Sequence, residues 1–154
     1  NYTNGTNIAY SKWSQGYYPS VRGNKVQWTP STKNNSSYKS FRKYMTSIDM
    51  YAGTASLEKE LVEVPIDSIQ PGDVFIQGGH PGHAITVVDV CVNPETKEKC
   101  FMVAQSFMPA QSVHVLQNFN NEGISPWYRV SECQQEVLTP EWSFYATDLM
   151  RFVE

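Results

Sequence analysis

The residues best suited to chemistry lie in one run: Pro71-Gly72-Asp73-Val74-Phe75-Ile76-Gln77-Gly78-Gly79-His80-Pro81-Gly82-His83-Ala84-Ile85. A tight turn launches an apolar strand, a glycine-rich loop reverses the chain, and His83 stands at the start of the next strand. An imidazole held there by rigid backbone, yet opening onto a cleft, has the placement a general base requires. The competing reading is a structural histidine bonded to loop backbone. Gly78, Gly79 and Gly82 would let a substrate approach the main chain, because glycine carries no Cβ. His80 shares that loop as a candidate binding residue.

Three histidines, His80, His83 and His114, together with Asp73 and Asp89, invite a metal reading. The chain offers neither an H-E-x-x-H helix nor a Cys pair at zinc spacing, so no metal and no cofactor is assigned. Of three cysteines, Cys91 and Cys100 flank a hairpin loop over 92–99 and face each other if the register is symmetrical. A disulfide there requires Cβ atoms within about 4.5 Å; two small buried residues are the alternative. Cys133 lies in a polar stretch and reads as a free thiol, with no helix start or basic cluster beside it to favour a thiolate. Trp13, Tyr17, Tyr18, Trp28, Trp127, Tyr128 and Trp142 fall in turn-rich segments. Their rings can line a groove for sugar or peptide, with Trp127 the candidate binding residue, or simply cover the sheet.

The elements that must position these residues read as α+β. Short strands are expected at 8–10 and 25–28. Phe41, Tyr44, Met45, Ile48 and Tyr51 recur at helical spacing, so a helix fills 36–52, capped by Ser36 or Ser37 and ended by a left-handed Gly53. A second, shorter helix opens at Thr54 or Ser56, carries Leu57, Leu61 and Val62, and stops before Pro65. Strands at 74–77, 84–92, 100–107 and 112–117 then form a short antiparallel meander. Ala84 to Val90 is nearly continuous in apolar and β-branched residues, which points to a central strand covered on both faces. Thr139 can cap a turn with Pro140 at its first position.

Hydrophobic residues make up 40% of the 154-residue chain and charged residues 18%, so burial outweighs charge repulsion and a single domain over 1–154 is expected. The net charge of −3, without blocks of either sign, gives nucleic acid no electrostatic footprint. No apolar run reaches the length of a membrane span. The chain opens at Asn1 in a turn-rich run, and the N-terminal part of the full domain is expected to be missing.

Several motifs spread along the chain resemble the domain-of-unknown-function family 4846, a group of exported bacterial proteins. They are Tyr51-Ala52-Gly53-Thr54, Gly72 through Gly79, Pro81-Gly82-His83-Ala84, Ala104-Gln105-Ser106, Met108-Pro109-Ala110-Gln111, Pro126-Trp127-Tyr128 and Thr139-Pro140-Glu141-Trp142. A fainter resemblance, confined to residues 71–106, is to the histidine region of NlpC-type, papain-like cell-wall peptidases and amidases. That resemblance implies a papain-like core, His83 as the base and Gln105 on the following strand as the residue that orients its ring. It further implies a peptidoglycan peptide or glycan as partner, and a periplasmic or extracellular location with a lipid anchor on the missing N-terminal part. The chain departs from the pattern at the nucleophile, since no cysteine precedes Pro71. Either a cysteine helix lies upstream of Asn1 or the scaffold persists without the reaction, as a module that binds glycan or peptide.

Overall fold

A computed structural model of the chain describes residues 1–31 and 33–153. The fold is α+β, and each of its two compact units, Asn1–Leu57 and Glu58–Glu154, builds its own core.

In the first unit, α1 (Tyr10–Ser14) precedes a hairpin of β1 (Tyr17–Arg22) and β2 (Lys25–Pro30), then α2 (Tyr38–Tyr51) and α3 (Thr54–Leu57). The expected strand at 8–10 is absent: Ile8 is buried and the chain enters α1 at Tyr10. Trp13 accounts for this. Its ring packs at 4.8 Å from that of Tyr18 and 5.6 Å from that of Tyr44, and its Nε1 donates to Ser40 Oγ at 3.0 Å. Placing that anchor needs a helical turn, and tertiary packing overrides the β propensity of three residues. The second strand is present and longer than expected, and Tyr17–Arg22 supplies its partner.

Ser37 caps α2 by accepting from Ser40 N at 3.3 Å. Gly53 does not end it in a left-handed turn. Ala52 closes the helix in an extended conformation, φ −98°, and Gly53 instead opens α3, its carbonyl accepting from Ser56 N and Leu57 N.

In the second unit, Leu61 and Val62 are not helical. Thr54 starts a helix of only four residues, and Leu61–Glu63 forms β3. The remaining strands are β4 (Val74–Gln77), β5 (His83–Val92), β6 (Lys99–Gln105), β7 (His114–Val115), β8 (Tyr128–Arg129), β9 (Glu136–Leu138), β10 (Ser143–Tyr145) and β11 (Leu149–Phe152). The main sheet runs β3-β11-β4-β5-β6-β7, with β8 pairing the start of β6, and β9 with β10 forms a separate ribbon. The pairings are antiparallel. The meander from β4 to β7 matches expectation, although 100–107 ends as a strand at Gln105 and 112–117 shrinks to two paired residues.

β5 is covered on one face, not two. Ile85 and Val87 are buried while Thr86, Val88 and Asp89 face outward, the alternation of an antiparallel sheet with one wet side. The register slips between Val87 and Asp89, which leaves Val88 as the extra residue of a bulge. Phe75, Ile85, Val87, Phe101, Val103, Tyr128, Phe144 and Leu149 form the core, each large apolar side chain contributing about 1.5–3 kcal/mol on burial.

The Pro-Gly-Asp turn is tied down twice. Gly72, at φ +93°, takes the left-handed conformation that glycine adopts without strain, and its N–H donates to Val87 O at 2.9 Å while Val87 N donates to Asp73 O at 2.8 Å. The fully buried Asp73 carboxylate accepts from Arg151 Nε at 2.7 Å, Arg151 Nη2 at 2.8 Å and Gln70 N at 2.9 Å. This aspartate anchors the sheet.

Candidate functional site

The reversal between β4 and β5 places His83 directly across from Gln77. At the loop, Gly79 has φ +141°, a conformation that side chains strain against. Gly78 commits its N–H to Glu58 Oε1 at 2.8 Å. His83 Nε2 meets Gln105 Oε1 at 2.5 Å. Gln105 is 3% exposed at the end of β6, and its Nε2 donates to Glu141 Oε2 at 2.7 Å. The result is a relay from imidazole through amide to carboxylate.

Three rings fix the imidazole plane. Phe107 meets it edge-on at 5.1 Å, Trp142 lies 5.5 Å away, and Phe144 stacks at 6.0 Å. Trp142 is itself held: Nε1 donates to Gln77 Oε1 at 2.9 Å, Gln77 Nε2 donates to Asp148 Oδ2 at 2.7 Å, and Trp142 N reaches Thr139 Oγ1 at 3.3 Å. That last bond is the cap expected at Thr139. His83 opens onto a cleft of about 420 Å³ lined by Gly82, Phe107, Met108, Gln111 and Trp142 among others. An open face, a fixed ring plane and a fixed hydrogen bond on one nitrogen are what a proton-transferring histidine needs.

The other candidates lie elsewhere. His80 is exposed, beside a cis bond to Pro81, and does not line the cleft. Trp127 borders a second groove of about 510 Å³ with Cys91, Cys100 and Arg129. His114 is exposed and its Nδ1 donates to Ser112 O at 2.9 Å, while Asp89 Oδ1 accepts from Val90 N at 2.8 Å. Among the described residues, no group of three or more His, Cys, Asp or Glu is placed to hold a metal ion.

No thiol is among the described residues that line the His83 cleft. Cys91 and Cys100 are directly opposed across the hairpin, as a symmetrical register requires, and both are free. Cys91 lies eight positions up β5 from His83, about 26 Å at strand spacing. Cys133 belongs to the core despite its polar neighbours; burial, then the Glu132 and Cys100 charges, pushes its thiol up to about 12. A thiol held protonated in this way is inert as a nucleophile.

Glu141 escaped the sequence reading. Its signal was its place in Thr139-Pro140-Glu141-Trp142, a run read for its turn chemistry, and nothing in local spacing shows that residue 141 reaches residue 105.

The family profile described as "Domain of unknown function (4846)" matches residues 1–151. The chain belongs to family 4846. Comparison with curated proteins and with solved structures returns no match. For this member of family 4846, the functional reading therefore rests on the geometry around His83. No helix among the described residues is long and apolar enough to cross a membrane.

Proposed function

We propose that the His83 cleft is the histidine half of a cysteine amidase or endopeptidase site, on a papain-like, NlpC-like scaffold, acting on peptidoglycan peptide or a related peptide at the cell envelope. The observation that carries the reading is the His83–Gln105 pair opening onto an aromatic-walled cleft. In this scheme a thiol gives its proton to His83 and the thiolate adds to the amide carbonyl carbon. The C–N bond breaks as His83 returns the proton to the leaving nitrogen; water, deprotonated by His83, then adds to the thioester carbonyl, and the C–S bond breaks to free the carboxylic acid as the proton passes back to sulfur. No thiol lines the His83 cleft among the described residues, and in this scheme the attacking cysteine is supplied by chain outside residues 1–154.

That same gap favours a second reading, a non-catalytic module that binds wall peptide or glycan between Phe107 and Trp142. The test is to incubate the natural full-length protein with purified muropeptides and follow new amine and carboxyl termini by mass spectrometry. Cleavage abolished both by His83→Ala and by thiol alkylation supports the enzyme. Binding that perturbs the cleft resonances without turnover assigns the module, and neither binding nor cleavage overturns both.

A further inference from the structure

We propose that Glu141 is a positioning residue: it fixes the amide orientation of Gln105 and thereby makes Nδ1 the proton-accepting nitrogen of His83. The argument is one of donors and acceptors. Gln105 is buried and its amide is gripped from both sides, by His83 Nε2 and by Glu141 Oε2. An ionised carboxylate only accepts hydrogen bonds, so it selects the NH₂ end of the amide. The carbonyl end must then face His83. A carbonyl oxygen also only accepts, so His83 Nε2 must carry the hydrogen, and the lone pair of the neutral ring falls on Nδ1. With Glu141 removed, the amide is free to turn over and offer NH₂ to Nε2, which would shift the hydrogen to Nδ1 and leave no base there.

The role deepens the proposed function and rests on it for its consequence, because only a base at Nδ1 can take the thiol proton while Gln105 occupies Nε2. The tautomer itself is a property of the substrate-free chain. Glu141 is exposed, so its replacement leaves the core intact.

The experiment measures the ring ¹⁵N resonances of His83 in the whole chain for wild type, Glu141→Ala and the double variant Gln105→Glu/Glu141→Ala. Wild type is expected to be mainly the Nε2–H form. Glu141→Ala should lower the ratio of Nε2–H to Nδ1–H by about tenfold, the size of one lost hydrogen bond. In the double variant, an acceptor-only carboxylate at 105 should restore the ratio. A Glu141→Ala spectrum with the wild-type ratio, or a wild-type ring already in the Nδ1–H form, overturns the proposal. Failure to cleave muropeptides leaves this readout untouched, so the two readings fail separately.

Discussion

Replacing Arg151 by Met removes the partner of a carboxylate whose side chain is 1% exposed and retains the aliphatic volume. Asp73 would lose the bonds at 2.7 and 2.8 Å and keep only Gln70 N. Removing one member of a buried ion pair costs about 3–5 kcal/mol. The Arg151 side chain is 28% exposed, so water can reach part of the vacated space, and the lower end, about 3 kcal/mol, is expected. For a unit of roughly 100 residues each kcal/mol moves the melting point by about 4–8 °C, giving a fall of about 12–24 °C. The assay is thermal and urea unfolding followed by circular dichroism. The control is Asp73→Asn with Arg151→Met, in which the neutral amide can still accept from Gln70 N and no charge is stranded. It should be more stable than Arg151→Met alone. A loss below about 1 kcal/mol for Arg151→Met, or a double variant that loses the sum of the two single changes, would show that the pair is not coupled as argued.

Three further outcomes are expected. With its thiol pushed up to about 12 by burial, Cys133 should resist alkylation at pH 8 in the folded chain, whereas exposed Cys91 reacts first; equal labelling rates would contradict the burial. Tyr128→Phe should cost about 1–3 kcal/mol in urea unfolding, because the single Tyr128 O–H lies 2.5 Å from Gln117 O and 3.1 Å from Leu138 O and the two carbonyls share that one buried donor; an unchanged midpoint would refute it. Hydrogen bonds from Asn121 and Arg129 hold the Glu132 carboxyl below its ordinary range. A lowered folded pKa means a contribution that is complete above the unfolded value and disappears as pH falls through the folded one. Glu132→Gln should accordingly flatten the acid side of the melting profile slightly, and an identical slope in both proteins would remove the effect.

Local signals were readable wherever neighbours in sequence decide the structure. The three- and four-residue spacing from Phe41 to Tyr51 placed α2, Ser37 capped it, and the symmetry of the 92–99 loop brought Cys91 opposite Cys100. Long-range pairing was invisible. Leu61 and Val62 look like the continuation of a helix until β11 arrives from residues 149–152 to claim them. A continuous apolar run in β5 suggested two covered faces because composition cannot tell which side of an antiparallel strand stays wet. At the site, a glycine-flanked histidine at a strand start was legible, and the Gln105 pairing was expected only from the fainter resemblance to NlpC-type peptidases. The carboxylate behind Gln105 was not, since its reach across 36 positions depends on where the turn between β9 and β10 is carried in the fold.

The position of β11 between β3 and β4 also bears on biosynthesis. A nascent chain that has not yet delivered residues 149–152 presents two facing strand edges with their N–H and C=O groups unpaired, the kind of template that recruits other chains. The second unit should therefore remain dependent on chaperones until its final strand leaves the ribosome. A chain cut short before residue 149 should be cleaved freely by proteases, and one extended through residue 152 should be resistant.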